Sequence, residues 1–284
     1  MNLPTFDAPD DPGPSFVDLA RRVGATSVGG WPASGADSPL EVTHGTTVCA
    51  IRYADGVVMA GDRRATSGNL IAHRAIEKVF PADDHSGVAI AGAAGPAMEM
   101  VKLFQLQLEH YEKVEGHALS LEGKANQLGQ MVRAHLPAAM TGLAVVPLFA
   151  GYDLRRAAGR LFQYDVTGGR YEESNYAATG SGSLHAGTVI KLGFGESLER
   201  GDAIDLALRA LFEAADEDAA TGGPDPIRGI FPVVATITAQ GFQRATDDEI
   251  AERFEGLLAE LRARNERLGP RLPETSTDLG GDGG

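Results

Sequence analysis

Strand-like and helix-like segments come in clusters along this chain instead of alternating singly. Strand patterns cover residues 46–53, 57–62, 87–91, 143–152, 160–166 and about 230–239. Helical patterns, with apolar residues at spacings of three and four, cover 98–111, 121–136, about 183–193, about 200–219 and about 247–267. Because each sheet must bury an apolar face, the order strands, two helices, strands, two helices, strand, helix predicts antiparallel sheets with helices on their outer faces.

Length and charge limit the classes of protein to which the chain can belong. Its 284 residues, 43% of them hydrophobic, are enough to bury one sizeable core. The formal net charge of -14 argues against a nucleic-acid partner, which requires a basic face to neutralise phosphates. No apolar run approaches the roughly 18 residues of a membrane span, so no membrane partner is expected.

The single cysteine, Cys49, points to a reducing compartment, because one thiol cannot form an intramolecular disulfide. Its position in a strand between Val48 and Ala50 favours a buried hydrophobe over a catalytic thiol. The first thirty residues carry acidic groups ahead of any apolar stretch, unlike a secretory signal. We therefore expect a cytoplasmic protein that uses no metal or cofactor.

The two ends of the chain differ from its centre in composition. Residues 1–42 are rich in Pro, Gly, Asp and Ser, with one short amphipathic patch at Phe16–Val23. Residues 269–284 have the composition of a disordered tail. Three regions are predicted: a largely disordered segment over 1–45, a folded domain over 46–268 and the tail.

The Gly45-Thr46-Thr47 segment at the start of the first strand could carry chemistry. One hairpin register places Val48 opposite Asp62, so that Asp62 shares a face with Thr46; a two-residue turn moves Asp62 to the other face. Sequence alone leaves this choice open. A threonine hydroxyl is a weak nucleophile without a base, and an ordinary strand start is the simpler interpretation of two threonines.

Cleavage between Gly45 and Thr46 would supply the missing base. The new α-amino group has an ordinary pKa of about 7.7 to 8.0 and can accept the hydroxyl proton near neutral pH. Residues 1–45 would then be a removable prosegment. A glycine before the cut has no Cβ to oppose close approach of the backbone.

Five motifs in order resemble the β subunits of proteasomes, most closely the actinobacterial type. The likeness runs from about Gly45 to Ala245. The motifs are GTTVCAIRYADGVVMAGDRRAT at 45–66, AIEKVF at 75–80, AIAGAAG at 89–95, GSGS at 180–183 and DEDAATGG at 216–223.

This resemblance implies an N-terminal-nucleophile (Ntn) hydrolase, an α+β fold in which two antiparallel sheets form a four-layer αββα sandwich with flanking helices. It also implies a threonine-type endopeptidase whose prosegment is removed autocatalytically. Residue by residue, Thr46 matches the nucleophile, Asp62 and Lys78 the charged pair beneath it, and Arg64 a basic position beside them. Gly92 matches the donor to the oxyanion.

The remaining matched positions support the nucleophile or bind substrate. Ser181, Asp218 and Thr221 match the shell around the nucleophile's amine, with Thr221 where many relatives carry serine. The resemblance implies that a substrate strand lies between two segments and that an apolar pocket receives one side chain. The residues expected there are Ala65, Thr66, Gly92 and Ala94 for the main chain, and Ala65, Ile90, Ala94 and Met98 for the pocket.

Assembly is also implied by the resemblance. The expected partners are proteasome α subunits and other β subunits in stacked seven-membered rings, a regulatory ATPase ring and unfolded protein substrates. Two alternatives are a non-catalytic ring scaffold and the two-ring heat-shock threonine peptidase. The scaffold typically lacks the free threonine or the lysine, and the heat-shock enzyme is shorter and begins almost directly at its nucleophile.

Overall fold

The structure, a computed structural model, describes residues 45–268, with the side chain of residue 268 left aside. The predictions for residues 1–44, including the Phe16–Val23 patch, and for the tail at 269–284 lie outside the described residues. Among the described helices, none is both long and apolar enough to cross a membrane.

The described residues form twelve strands and six helices. The strands are β1 Thr47–Tyr53, β2 Gly56–Gly61, β3 Ala65–Ser67, β4 Leu70–His73, β5 Val79–Asp83, β6 Ser86–Gly92, β7 Val145–Asp153, β8 Ala158–Tyr164, β9 Arg170–Glu173, β10 Tyr176–Gly180, β11 Val233–Thr238 and β12 Gly241–Arg244. The helices are α1 Ala94–Glu115, α2 Leu121–Ala134, α3 Leu136–Ala139, α4 Ser183–Gly193, α5 Arg200–Glu217 and α6 Asp247–Leu268.

Two five-stranded sheets organise the domain. The first has the order β10-β1-β2-β11-β12 and the second the order β5-β6-β7-β8-β9, while β3 and β4 form a separate hairpin. All the strand pairings are antiparallel. The first sheet therefore brings the start of β1 next to the end of β10, where the GSGS motif begins.

Three apolar clusters separate four layers. One lies between the two sheets and includes Val48, Met59 and Leu148. A second joins the outer face of the first sheet to α4, α5 and α6, and a third joins the outer face of the second sheet to α1 and α2. The predicted four-layer αββα sandwich is confirmed.

Cys49 lies on the helix-facing side of β1 and is fully buried. Burial raises the pKa of its thiol to about 12, with a backbone hydrogen bond from Ala60 opposing the shift. A thiol with so high a pKa is not a nucleophile at neutral pH. Its placement agrees with the prediction of a buried hydrophobe.

Both predicted hairpin registers are wrong. Tyr53 pairs with Gly56, so the turn consists of Ala54 and Asp55 and the strands are shifted by one or two residues from the predicted pairings. Gly56 lies in β2, and its backbone is not in the left-handed region that favours glycine. A Cβ on Gly56 would come within 2.1 Å of Ile237 O on β11. The neighbouring strand, not the turn, therefore requires this glycine. The Asp62 N–H donates to Thr47 O at 3.1 Å, which places Asp62 opposite Thr47 and not Val48.

Candidate active site

Thr46 immediately precedes β1 and is held by the loop after β10. Its carbonyl accepts the Ser181 N–H at 2.9 Å, and its own N–H donates to Ser181 Oγ at 3.4 Å. The residue is only 4% exposed. Thr46 Oγ1 donates to the carbonyl oxygen of the preceding residue, Gly45, at 2.7 Å. The hydroxyl therefore lies beside the carbonyl of the bond predicted to be cut.

Asp62 and Lys78 form a buried ion pair beneath Thr46. Lys78 Nζ lies 2.6 Å from Asp62 Oδ1, and the two side chains are 4% and 0% exposed. The Asp62 carboxylate also accepts backbone N–H groups from Thr47 at 2.8 Å, Arg64 at 2.9 Å and Gly222 at 2.8 Å. A buried carboxylate needs such partners, and four donors fix its position.

Lys78 reaches from this pair to the Gly45 carbonyl. Its Nζ donates to Arg64 O at 2.6 Å and to Gly45 O at 3.3 Å. Burial lowers the pKa of Lys78, and its attraction to Asp62 opposes that shift. Arg64 was predicted as a basic position beside this pair. It contacts the pair through its backbone, since its N–H donates to Asp62 and its C=O accepts from Lys78. Its guanidinium instead donates to Ala219 O at 2.9 Å.

A chain of hydroxyl groups connects the GSGS and DEDAATGG motifs. Asp218 Oδ2 accepts hydrogen bonds from Ser181 Oγ at 2.5 Å and from Thr221 Oγ1 at 2.6 Å. Burial opposes ionisation of Asp218, but these two bonds and one from the Ala220 N–H outweigh it and hold the pKa of Asp218 below its ordinary value. Ser181, Asp218 and Thr221 are therefore together, next to the Thr46 backbone nitrogen.

Thr47 completes this chain and was not singled out from sequence. Its Oγ1 accepts the Gly182 N–H at 3.0 Å and lies 2.6 Å from Thr221 Oγ1. Because the Thr221 hydroxyl donates to Asp218, Thr47 is the donor to Thr221. The sequence did offer a signal, the two adjacent threonines at 46–47. Because neighbouring residues on a strand point to opposite faces, the two hydroxyl groups are expected to contact different partners.

A pocket opens beside Thr46 and contains every residue predicted to bind substrate. Helix α1, β3 and β6 supply most of its wall. The lining residues are Gly45, Thr46, Ala65, Thr66, Ile76, Glu77, Lys78, Ile90, Gly92, Ala94, Ala97 and Met98. Ile76, Glu77 and Ala97 were missed, although Ile76 and Glu77 directly precede Lys78 in the AIEKVF motif. The Glu77 carboxylate is turned towards β12, where it accepts a hydrogen bond from Arg244 at 2.5 Å.

Gly92 ends β6 at the inner side of this pocket. Its φ of 111° lies in the region that favours glycine, and a Cβ there would come within 2.1 Å of Ala144 O. The helix α1 begins two residues later, at Ala94. Gly92 and Thr46 therefore line the same pocket, and the role of Gly92 as oxyanion donor stays a prediction.

Gly45 packs closely against Ala220. A Cβ built on Gly45 would lie 2.0 Å from Ala220 Cβ, so no side chain fits there. Its N–H donates to Thr66 Oγ1 at 3.3 Å. The residue before Thr46 is therefore held at both its N–H and its carbonyl, as expected for a backbone position that must approach its surroundings closely.

Comparisons with known proteins agree with this geometry. The proteasome subunit family matches residues 42–227. A proteasome subunit beta of Acidimicrobium ferrooxidans is 59% identical over 268 residues, covering 93% of this chain and 97% of the relative. One of Streptomyces griseus is 58% identical over 240 residues, with 84% of each chain covered, and one of Acidothermus cellulolyticus is 56% identical over 232 residues, with 80% of this chain and 79% of the relative covered. The chain therefore belongs to the proteasome subunit family, as a catalytic β subunit and threonine-type peptidase.

Proposed function

We propose that the chain cuts its own Gly45–Thr46 bond and then uses Thr46 to hydrolyse peptide bonds of unfolded proteins. One observation carries this proposal: Thr46 Oγ1 and Lys78 Nζ both contact the Gly45 carbonyl oxygen, at 2.7 and 3.3 Å. A nucleophile and a cation thus meet at the carbonyl that would be attacked, and the cation can stabilise the negative charge that develops on its oxygen.

In the self-cleavage step, Thr46 Oγ1 attacks the Gly45 carbonyl carbon and loses its proton. The C–N bond breaks, the nitrogen takes up a proton to become the Thr46 amine, and an ester joins Gly45 to Oγ1. Water then hydrolyses the ester, releasing residues 1–45 with a new carboxylate and restoring the hydroxyl. Under this proposal the working domain is 46–268, and 269–284 is a tail.

For peptide substrates, the freed Thr46 amine accepts the proton of its own hydroxyl. The positive charge of Lys78 lowers the pKa of that amine, because like charges repel, and Asp62 keeps the lysine charged and in place. Ser181, Asp218 and Thr221 hold the amine in position. The Gly92 N–H binds the oxyanion, a contribution typically worth about 2.7–4 kcal/mol in acyl transfer.

The substrate lies between two segments that flank the pocket. The backbone of Ala65, Thr66, Gly92 and Ala94 pairs with it by strand addition. Ala65, Ile90, Ala94 and Met98 line the pocket that receives one side chain. Their small and apolar character selects apolar side chains at the cleaved position.

As a proteasome subunit, the chain assembles with other proteasome subunits. We place it in stacked seven-membered rings with other β subunits and with α subunits, in the cytoplasm, where an ATPase ring delivers unfolded proteins. The proximity of Thr46, Asp62 and Lys78 argues against a non-catalytic scaffold, because a scaffold would not require a nucleophile beside a buried ion pair.

The mass of the purified chain and its peptidase activity test the proposal together. The wild type is expected to yield a fragment comprising residues 46–284, whereas Thr46→Ala retains residues 1–45 and hydrolyses no peptide. Thr46→Ser keeps a hydroxyl and should still be cut. Thr141→Ala, a change at an exposed threonine, should behave as wild type. A Thr46→Ala variant that still cleaves peptides would refute the assignment.

A further inference from the structure

Three arginines line a small pocket whose wall includes Arg64 and Gly222, two of the residues that donate backbone N–H groups to Asp62. We name it the arginine pocket. Its lining residues are Arg63, Arg64, Arg74, Gly222, Gly223, Asp225, Ile230, Phe231 and Pro232. Nothing in the proposed reaction uses the guanidinium groups of these arginines.

Among residues 45–268, the guanidinium groups of the arginine pocket have no anionic partner. Within residues 45–268, no carboxylate lies within 4.0 Å of Arg63, Arg64 or Arg74, whereas Arg160 has carboxylates of Glu122, Asp153 and Glu172 around it. This contrast stands out in a chain whose net charge is -14, because acidic groups are abundant. Three like charges with no counter-charge repel one another and favour an anion between them.

Unused hydrogen-bond donors lead to the same conclusion. Arg63 donates from Nη2 to Ala75 O at 3.2 Å, but its Nε is buried and has no partner among the described residues. A buried N–H without an acceptor costs free energy, so an acceptor is expected there. Arg74 is exposed and adds a third guanidinium group to the pocket wall. Guanidinium groups are well suited to the planar or tetrahedral oxygens of oxyanions.

Asp225, the one acidic residue in the described part of the wall, is already paired with another arginine. Asp225 Oδ2 accepts from Arg228 Nη1 at 2.6 Å, and its Oδ1 accepts the Arg228 N–H at 3.1 Å. We propose that the arginine pocket binds one small oxyanion, a carboxylate or a phosphate-sized group, through Arg63, Arg64 and Arg74.

Such an anion would touch the residues that hold Asp62. The Arg64 and Gly222 N–H groups both donate to Asp62 Oδ2. An occupant of the pocket therefore restrains two of the four donors of that carboxylate. The oxyanion has two possible sources: a free anion in solution, or a carboxylate side chain of a second copy of this chain in an assembled particle.

Inorganic phosphate serves as the probe, and thermal unfolding of the unassembled full-length chain as the readout. The chain carries Thr46→Ala, so that every sample keeps residues 1–45. At constant ionic strength, replacing chloride by phosphate should raise the Tm saturably by about 3 °C, because a ligand that binds only the folded state stabilises it. The apparent Kd for phosphate should rise at least tenfold in Arg63→Gln/Arg74→Gln.

Two further variants secure the interpretation. Arg74→Gln alone changes an exposed side chain, so the chain should fold as its parent does, and it should still weaken phosphate binding several-fold. Arg52→Gln, at an exposed arginine far along β1, is the matched control and should respond as its parent. No saturable effect of phosphate in the parent, or an equal effect in all the variants, would overturn the proposal.

Assembled particles distinguish the two sources. If phosphate binds to the particle as it binds to the free chain, the natural occupant is a free anion. If the particle excludes phosphate and Arg74→Gln weakens assembly, the occupant is a carboxylate from a second copy. The binding proposal does not depend on self-cleavage, because parent and variants share the Thr46→Ala change and their intact masses show that the compared chains have the same length.

Discussion

Replacing Asp62 by asparagine removes the charge that faces Lys78 while keeping the size of the side chain. The two groups are 0% and 4% exposed, so the change leaves a lysine charge buried without its partner. Breaking a buried ion pair in this way typically costs about 3–5 kcal/mol. With a urea m value of about 3 kcal/mol/M, a loss of about 4 kcal/mol lowers the unfolding midpoint by about 1.3 M.

Urea unfolding followed by far-UV circular dichroism measures this loss. All variants carry Thr46→Ala, so that wild-type and mutant backgrounds have the same covalent chain. Asp55→Asn, in the exposed β1–β2 turn, is the matched control and should change the free energy of unfolding by less than about 0.5 kcal/mol.

A double variant separates the charge from the packing. Asp62→Asn/Lys78→Met removes both members of the pair, and replacing a buried pair by groups of similar volume is often close to neutral. It should recover most of the stability that Asp62→Asn alone loses, which a double-mutant cycle detects as coupling. A single variant within about 1 kcal/mol of its parent, or no recovery in the double variant, would refute the claim that the pair is tightly buried.

Three further outcomes follow from named contacts. Gly45→Val forces a side chain against Ala220 and should slow self-cleavage at least about 100-fold, seen as uncut chain by intact mass, whereas cleavage at the wild-type rate would contradict the contact. The pKa of Asp218 is lowered in the fold, so its carboxylate stabilises the protein above the unfolded value of 3.8 and loses that effect as pH falls through the folded value. In the Thr46→Ala background, the stability difference in urea between the parent and Asp218→Asn should therefore shrink from pH 7 to pH 3, and a constant difference would refute this. Thr221→Val leaves the Thr47 hydroxyl and Asp218 short of a partner and should cost about 1–3 kcal/mol in urea unfolding, whereas Thr221→Ser should restore most of it; equal losses would show that the hydroxyl is not what matters.

Long periodic segments were predictable from sequence because their apolar spacing survives in the fold. Helix α1 buries Met100, Phe104 and Leu108 along one face, and the predicted helix over 183–193 matches α4. Short strands escaped prediction. In β4 all four residues are exposed, and β9 has only four residues, two of them glutamates, so neither offers an apolar alternation.

The hairpin register could not be predicted, because a contact made far along the chain decides it. An Asp-Gly pair between two strands is the usual signal for a tight turn. Here Gly56 lies inside β2 because β11 passes against it, and Ile237 O occupies the space that a side chain would need. The sequence around Gly56 does not show that β11 lies next to it.

The predicted site residues come together because the Asp62 carboxylate depends on four separate parts of the chain. Its donors are Thr47 on β1, Arg64 after β2, Lys78 before β5 and Gly222 after α5. A fully buried carboxylate is costly until its hydrogen bonds are made, so a chain that has formed only one sheet gains little by burying it. Lys78 precedes the first strand of the second sheet, whereas Thr47 belongs to the first. The contact of Lys78 with the Gly45 carbonyl therefore requires that both sheets have packed together, and self-cleavage is expected only after the domain has folded.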